Sequence, residues 1–301
     1  MKIVQWRKTA YVISAVLVGA SALALFLWGF RLGIDFTGGT LLEVQYAEGL
    51  PDVSRVETAL AGLGLGSARV QVSDANRLLI RMQALSEDEH RAALSALRLG
   101  GRDVTELRFD SIGPTIGAEL RKKMVTAIVL VLLMIILYIT WAFRKVGKPL
   151  SSWRYGLVAV AALVHDVTIP SGVFAALGRF ANIEIDALFV TALLTVLGFS
   201  VHDTIVVFDR VRENLQRRAR SVPFAEVVGA SIRETLARSI NTSLTTMLVL
   251  AALLAWGPAS TRYLSLALLL GIFFGTYSSI FIASPLLVSW ERRLAKKHGI
   301  T

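Results

Sequence analysis

Six long apolar stretches limit what this chain can fold into more than any other feature of its sequence. They cover residues 11–30, 124–143, 155–177, 187–208, 240–257 and 263–290. About 20 apolar residues in a helix cross a bilayer core of ~30 Å, and 54% of the 301 residues are hydrophobic. The sequence therefore predicts an integral membrane protein with six spans. The first stretch lacks a small-x-small cleavage site at its end, which predicts a retained anchor rather than a removed signal peptide.

Basic residues concentrate on alternate loops, which predicts the orientation of the chain. The net charge is +10. Most of it comes from the N-terminus, the loops after the second and fourth stretches, and the C-terminal tail, whereas the other short loops hold only Arg179 and Arg262. Because basic loops stay cytoplasmic, both termini are expected inside. The positive charge then indicates topology and contact with anionic membrane lipids, and no nucleic-acid partner is expected. The chain has no cysteine, which excludes disulfides and Cys-based sites.

Residues 31–123 separate the first two stretches and have the composition of a folded domain. Strands are predicted at 40–46, 69–72, 78–82 and 104–109, and helices at 53–63 and after an N-cap at Ser86. The order β-α-β-β-α-β predicts an α+β ferredoxin-like fold. The expected organisation is a first transmembrane helix (1–30), a periplasmic domain (31–123), five further helices that complete an all-α membrane bundle (124–290) and a cytoplasmic tail (291–301).

The segment 198–214, GFSVHDTIVVFDRVREN, places His202 and Asp203 side by side inside the fourth stretch. One interpretation is that the helix ends early and leaves Asp203 in interfacial water. The other starts from the apolar residues 205–208, which put the cytoplasmic edge at Asp209 and leave Asp203 ~9 Å inside it. Intramembrane carboxylates face the bundle interior or water and often belong to proton relays.

A second ionisable pair, His165 and Asp166, lies near the middle of the third stretch. Imidazole titrates close to neutral pH, so His165 and His202 are candidates for one relay. The structural alternative is a histidine that is only hydrogen-bonded inside a packed bundle. Two His-Asp pairs in adjacent stretches favour the functional interpretation.

Two arginines accompany the fourth and fifth stretches. Arg238 is expected to begin the fifth stretch, where it can pair with Asp203 or extend to the interface. The hydroxyl-rich residues 239–246 after it can cap the helix, bridge to neighbouring helices or line a wet path. Arg210 lies seven residues after Asp203 on nearly the same helical face. With Asp209 it marks the cytoplasmic edge, where we expect it to anchor the helix.

Glycines form two further motifs. GIDFTGG, at 33–39, follows the first stretch, and its glycine pair permits positive φ and close backbone approach. The residues of interest in this motif are Gly33, Asp35, Gly38 and Gly39. Because the spacing of a phosphate-binding loop is missing, neither a nucleotide cofactor nor ATP hydrolysis by this chain is expected. Gly271 and Gly275 form a small-xxx-small pattern, which predicts close helix packing.

Three motifs together resemble the SecF family, which belongs to the resistance-nodulation-division superfamily and to the bacterial Sec protein-export machinery. They are GIDFTGG (33–39), IGPTIG (112–117) and GFSVHDTIVVFDRVREN (198–214). The similarity covers essentially the whole chain, with six spans and one large external domain in the first loop. Each motif alone is weak, and their combination is specific.

The resemblance implies an accessory translocase subunit of the bacterial cytoplasmic (inner) membrane. It would pair with SecD beside the SecYEG channel and use the proton motive force to assist exported polypeptides. The family's key membrane aspartate corresponds to Asp203, and its arginine of the fifth span to Arg238. The family usually has Asn before that aspartate, whereas this chain has His202, which adds a titratable group. Neither a metal nor another cofactor is expected. The expected proton-relay residues are Asp203, Arg238, His202, Asp166 and His165.

Three other functions are weighed as hypotheses. A non-conducting scaffold subunit predicts that Asp203→Asn leaves export intact. An intramembrane metallo-hydrolase would use His165, Asp166, His202 and Asp203 as ligands, but the chain has no HExxH motif and no carboxylate obviously placed as a general base. A lone small-molecule exporter of the superfamily would usually have two large external domains and twelve spans. The sequence therefore favours a transport subunit over an enzyme.

Overall fold

The computed structural model of the protein describes residues 6–74, 76–99, 101–144, 150–217 and 222–297. Its helices and strands in chain order are α1 (Arg7–Trp28), α2 (Ile34–Thr37), β1 (Gly39–Tyr46), α3 (Val53–Ala61), β2 (Arg69–Asp74), β3 (Arg77–Met82), α4 (Glu87–Leu97), β4 (Val104–Ile112), α5 (Pro114–Ala142), α6 (Ser152–Phe180), α7 (Ala187–Arg217), α8 (Phe224–Trp256), α9 (Ala259–Ser278), a π-helical turn (Ser279–Ala283) and α10 (Ser284–Lys297). Helices α1, α5, α6, α7, α8 and the continuous unit from α9 to α10 are long and apolar enough to cross a membrane. The predicted bundle of six apolar helices is confirmed.

The spanning helices extend beyond the apolar stretches that predicted them. Helix α5 begins at Pro114 instead of residue 124, α7 continues to Arg217 instead of ending at 208, and α8 begins at Phe224 instead of 240. Hydropathy detects only the part of a helix that suits hydrocarbon, whereas Lys, Arg and Glu continue a helix readily. Arg238, at the beginning of the fifth apolar stretch, therefore lies well inside α8 and not at a helix start.

The four strands form one antiparallel sheet in the order β2-β3-β1-β4, within a compact unit that covers Leu32–Val125. Strand β1 is central, and its Leu42 is opposite Ile80 of β3 and Phe109 of β4. Alternate residues Leu42, Val44 and Tyr46 are buried, as expected for a strand with one face on a core. The helices α3 and α4 add Val56, Leu60, Ala93 and Leu97 to this core. The predicted order of strands and helices is present.

A reciprocal pair of hydrogen bonds begins helix α4. The backbone N–H of Ser86 donates to Glu89 Oε2 at 2.7 Å, and the backbone N–H of Glu89 donates to Ser86 Oγ at 3.5 Å. This arrangement is a capping box, which satisfies amide groups that a helix start otherwise leaves unpaired. The hydrogen bond from the Ser86 backbone holds the pKa of the Glu89 carboxyl below its ordinary value. The predicted N-cap at Ser86 is confirmed.

The two glycine motifs that flank the domain are in contact with each other. Gly38 and Gly39 have φ values of 74° and 121°, which favour glycine. A Cβ on Gly38 would lie 2.7 Å from Pro114 Cα, and a Cβ on Gly39 would lie 2.8 Å from the carbonyl oxygen of Met82. Gly117 likewise approaches the backbone nitrogen of Gly38, where an added Cβ would lie 2.8 Å away. Any larger side chain would separate the start of β1 from the start of α5.

Small residues bring the membrane helices close together. A Cβ on Gly271 of α9 would lie 2.1 Å from Val196 Cγ2 of α7, and a Cβ on Gly275 would lie 3.1 Å from Ser200 Cβ. The close packing predicted from Gly271 and Gly275 is confirmed. Gly172 allows α6 to approach α1 in the same way, since a Cβ added on Gly172 would lie 2.3 Å from Ser21 Cβ. These contacts hold α1, α6, α7 and α9 around a group of polar side chains.

Candidate functional site

Two aspartates lie buried in the interior of the bundle, on consecutive spanning helices. Asp166 of α6 has no exposed surface, and Asp203 of α7 is 6% exposed. Because α7 continues past Asp203 to Arg217, the interpretation that Asp203 lies in interfacial water does not describe this structure. A carboxylate buried without partners is strongly unfavourable. The groups around each aspartate therefore decide which charge states it can adopt.

Asp166 has hydrogen-bond partners on three helices. Its Oδ1 lies 2.8 Å from Nδ1 of His165 on α6. Its Oδ2 accepts from Ser200 Oγ of α7 at 2.5 Å and from Ser278 Oγ of α9 at 2.7 Å. The Asp166 carboxyl group thus joins α6, α7 and α9 at one point inside the bundle.

His165 extends this network to the first helix. Its Nε2 lies 3.1 Å from Ser14 Oγ of α1, and the side chain is almost fully buried. With a proton on Nδ1 only, the neutral ring donates to Asp166 and accepts from the Ser14 hydroxyl. With protons on both nitrogens, the ring donates to both partners. His165 therefore keeps two hydrogen-bond partners whether it is neutral or charged, as a proton shuttle requires.

Asp203 accepts a hydrogen bond from a serine hydroxyl that also has a backbone carbonyl oxygen within hydrogen-bond distance. Ser279 Oγ donates to Asp203 Oδ2 and also lies 3.0 Å from the carbonyl oxygen of Thr276. Ser278 repeats the arrangement, because its Oγ lies 2.7 Å from Asp166 Oδ2 and 3.0 Å from the carbonyl oxygen of Gly275. A serine hydroxyl has one proton to donate. Each serine can therefore donate to its aspartate or to the helix backbone, but not to both at once.

Because each serine has two possible acceptors, each aspartate keeps a hydrogen bond to its serine whether it is ionised or protonated. An ionised aspartate accepts the serine proton. A protonated aspartate donates its own proton to the serine oxygen and leaves the serine proton for the backbone carbonyl. Rotation of one hydroxyl is the only local change that this exchange requires. The arrangement tolerates a proton that comes and goes, which a site built for a permanent charge does not need.

The two serines lie where α9 changes into the π-helical turn. Consecutive helical residues point ~100° apart, so Ser278 reaches Asp166 on α6 while Ser279 reaches Asp203 on α7. Ser284 Oγ donates to the carbonyl oxygen of Ser279 at 2.9 Å across the turn. Single π-helical turns inside longer helices occur frequently at functional sites. On α7, Ser200 and Asp203 are three residues apart and share one helix face.

The two predicted relay histidines are not brought together. His165 is buried, whereas His202 is exposed even though its neighbour Asp203 is buried. In the part of the chain that the structure describes, no three His, Asp or Glu side chains are close enough to hold a metal ion. The metallo-hydrolase hypothesis therefore lacks its ligand set, because His202 does not face the other three groups.

Arg238 does not contact Asp203. It is exposed on α8, and among the described residues no ion pair within 4 Å joins the two side chains. The alternative, in which Arg238 extends to the membrane interface, stays a prediction. The hydroxyls after it do not cap a helix start, because they lie in mid-helix. Ser243 instead bridges to Thr276 of α9 at 2.5 Å, while Thr245 bonds back to its own helix.

Arg210 connects two helices at the end of the bundle. Its Nε donates to Glu234 of α8 at 2.5 Å, and its guanidinium group also pairs with Glu213 on α7. The sequence predicted an anchor on the helix face of Asp203, and the structure gives that anchor an interhelical ion pair. Asp209 is exposed and pairs with Arg212 at 2.6 Å. Neither residue has a hydrogen bond to Asp166, Asp203 or their serine partners among the described residues.

Sequence reasoning missed four serines that complete the site. They are Ser14, Ser200, Ser278 and Ser279. All four lie inside apolar helices, where an isolated hydroxyl needs a partner from a neighbouring helix. The only local signals were the spacing of Ser200 from Asp203 and the serine pair in the last span.

Comparison with known proteins gives a consistent result over nearly the whole chain. Residues 94–293 match the family described as Protein export membrane protein SecD/SecF, C-terminal, and residues 24–49 match the SecD/SecF GG Motif. The Protein translocase subunit SecF of Thermobaculum terrenum is 44% identical over 303 residues, which cover 97% of this chain and 94% of that protein. The SecF of a Synechocystis species is 39% identical over 98% of this chain and 95% of its own length.

A solved structure is similar as well. The crystal structure of SecDF, a translocon-associated membrane protein from Thermus thermophilus, superposes with a TM-score of 0.81 at 35% identity over 97% of this chain. The chain spans 39% of the length of that SecDF chain.

Proposed function

The chain belongs to the SecD/SecF family of protein-export membrane proteins, and we propose that it is an accessory subunit of the Sec protein translocase that uses the proton motive force to assist export. The family membership follows from the match over residues 94–293 and from relatives named SecF at 37–44% identity. The multi-pass bundle is the part that takes up protons in this proposal. The domain between α1 and α5 acts on exported polypeptide.

The observation that carries the proposal is the pair of buried aspartates whose hydrogen bonds can be satisfied with or without a proton. A fixed charge at this depth is costly, and intramembrane carboxylates typically mark ion or proton pathways. Asp203 accepts from a serine that has an alternative acceptor, and so does Asp166. We propose Asp203 as the principal proton-binding group. Asp166 and His165 then form the continuation of the relay towards α1.

The energy available is sufficient for a mechanical step. One elementary charge that crosses a potential of 100 mV yields about 2.3 kcal/mol. A bias of that size changes the ratio of two conformations by roughly fiftyfold, because every 1.4 kcal/mol is a factor of ten. Movement of the sixth span, whose serines change their acceptor with aspartate protonation, is the step through which the bundle would drive the external domain. That domain retains its predicted ferredoxin-like classification, which its strand order supports.

We propose SecD as the direct partner. The SecDF relative from Thermus thermophilus combines both names in one chain, and the present chain matches 38% of it. Helix α5 supports a partner within the membrane, since only 6% of its apolar window is buried against the rest of this chain. His202 and Arg238 are exposed on the surface of the bundle. They remain predicted members of the relay, and in this proposal they lie on the surface that contacts SecD. The SecYEG channel and exported polypeptides are the further proposed partners.

The proposed location is the bacterial cytoplasmic (inner) membrane with both termini in the cytoplasm. The distribution of basic loops supports this orientation. Residues 31–123 would then lie on the outer side, where exported chains emerge. The proposed role is transport without enzymatic chemistry of its own.

The decisive experiment compares Asp203→Asn with wild type in vesicles that also carry SecD and the channel. We expect both the export rate and the proton conductance to fall to background, while SecD still co-purifies with the variant. Glu226→Gln is the matched control, because it removes an exposed carboxylate from the same bundle. Full export by Asp203→Asn would discard the proton-driven mechanism and leave a non-conducting scaffold.

A further inference from the structure

A cavity of about 730 Å³ lies between the two ends of the chain. Its walls come from the first turns of α1 and from the second half of the sixth spanning unit in α10. None of its lining residues belongs to the hydroxyl network around Asp166 and Asp203.

Four cations line this cavity and no acidic side chain does. Arg7 and Lys8 come from α1, and Arg292 and Arg293 come from α10. Within the residues that the structure describes, none of these four side chains forms an ion pair with a carboxylate within 4 Å. Like charges gathered in this way repel one another unless an anion lies between them. The net positive charge of these lining residues therefore favours a negatively charged ligand.

The remaining wall is amphipathic. Tyr11 Oη and Ser289 Oγ lie 3.1 Å apart and join α1 to α10 beside the cations. Leu286, Trp290 and Leu294 supply apolar surface along α10. Tyrosine and tryptophan are enriched where membrane helices meet the headgroup layer. The cavity thus combines cations and hydroxyls from both helices with apolar side chains of α10.

We propose that this cavity binds the headgroup of an anionic diacyl phospholipid. The guanidinium groups of Arg292 and Arg293 suit phosphate oxygens, because their planar donor groups can bind two oxygens at once. Arg7 and Lys8 add positive charge from the opposite wall. The acyl chains follow the apolar side chains of α10 towards the bilayer. Basic pockets between membrane helices bind anionic headgroups by the same chemistry.

The test measures lipid binding to the purified full-length protein in a neutral detergent by native mass spectrometry. Phosphatidylglycerol and phosphatidylcholine of equal chain length are titrated separately, and inorganic phosphate is added in a third series. We expect wild type to retain phosphatidylglycerol in preference to phosphatidylcholine. The Arg292→Gln/Arg293→Gln variant should bind phosphatidylglycerol on the order of tenfold more weakly. Inorganic phosphate at equal concentration should not displace the lipid.

Two further variants keep the test decisive. Arg7→Gln/Lys8→Gln removes the cations of the other wall and should weaken binding in the same direction even if the first variant folds poorly. Arg233→Gln/Lys296→Gln removes two exposed charges that do not line the cavity and should bind like wild type. Equal phosphatidylglycerol binding by all variants, equal retention of phosphatidylcholine, or displacement by inorganic phosphate would each overturn the proposal.

Discussion

The hydroxyl of Ser279 donates a hydrogen bond to the carboxylate of Asp203, across the contact between the π-helical turn and α7. The same hydroxyl has the Thr276 carbonyl oxygen 3.0 Å away as its other acceptor. Asp203 is therefore coupled to the backbone of the last span through a single proton. The proposed function depends on this coupling, and its removal should separate proton binding from movement.

Ser279→Ala should slow proton-dependent export while the protein remains folded. The variant removes a hydrogen bond to a charged group, which contributes about 1.5–3 kcal/mol, so a loss on the order of tenfold to a hundredfold in rate is expected. This loss is measured as the export rate and the proton conductance of reconstituted vesicles. Ser265→Ala removes another buried serine of α9 and should change neither quantity. Wild-type rates in Ser279→Ala would show that the hydroxyl is dispensable.

Asp166→Asn should also lower proton conductance. Asparagine fills the same space, but it cannot bind or release the proton, and its NH2 group cannot accept the two hydrogen bonds that Asp166 Oδ2 accepts from Ser200 and Ser278. The proton conductances of Asp166→Asn and Asp203→Asn in the same vesicles then show which of the two groups contributes more to the relay. Unchanged conductance with an unchanged melting temperature would restrict Asp166 to a structural role.

The two histidines should differ in their effect on stability. His165→Asn removes a buried ring with two hydrogen-bond partners and leaves Ser14 and Asp166 with weaker ones, so a loss of about 1–3 kcal/mol is expected. His202→Asn changes an exposed side chain and should leave the melting temperature within experimental error. Thermal unfolding of both variants in detergent measures this difference. Equal destabilisation by the two substitutions would contradict the observed burial.

Gly271→Ala should destabilise the bundle, whereas Gly198→Ala should not. An added Cβ on Gly271 would lie 2.1 Å from Val196 Cγ2, and the buried, branched side chain of Val196 is restricted in its rotation. A Cβ on Gly198, also in a spanning helix, would meet nothing within 4 Å, and alanine favours a helix more than glycine does. The melting temperatures should therefore fall for Gly271→Ala and stay level or rise for Gly198→Ala. The reverse order would mean that α7 and α9 do not pack as described.

The capping box of α4 should make the local stability of that helix depend on pH. The hydrogen bond from the Ser86 backbone lowers the pKa of Glu89 in the folded protein. The stabilisation is therefore complete above the ordinary glutamate value and is lost as the pH falls through the lowered folded value. Amide hydrogen exchange in residues 87–97, corrected for intrinsic rates, should accelerate at acidic pH.

Glu89→Gln provides the control for this titration. Glutamine can still accept the hydrogen bond of the capping box but cannot titrate. Exchange in α4 of the Glu89→Gln variant should therefore lose the acid-dependent step while the helix stays formed. An identical acid response in the wild type and the variant would assign the pH dependence to another group.

Much of this protein is determined by local sequence. Six apolar stretches predicted the six membrane helices, because a segment that suits hydrocarbon must satisfy its backbone hydrogen bonds within itself. Ser86 predicted the start of α4, and the pair Gly38 and Gly39 permitted the positive φ values that the structure has. Each of these signals depends on residues within a few positions of one another.

The tertiary structure alone decided which polar groups meet. His202 and Asp203 are adjacent in sequence, yet one is exposed and the other is buried, because consecutive helical residues point ~100° apart and packing fixes the rotation of α7. Asp166 receives hydrogen bonds from Ser200 and Ser278, which belong to helices that follow it in the chain. Hydropathy has no means of pairing such residues, since it depends only on composition along one helix. The site is therefore a product of helix packing, while the helices themselves are products of the sequence.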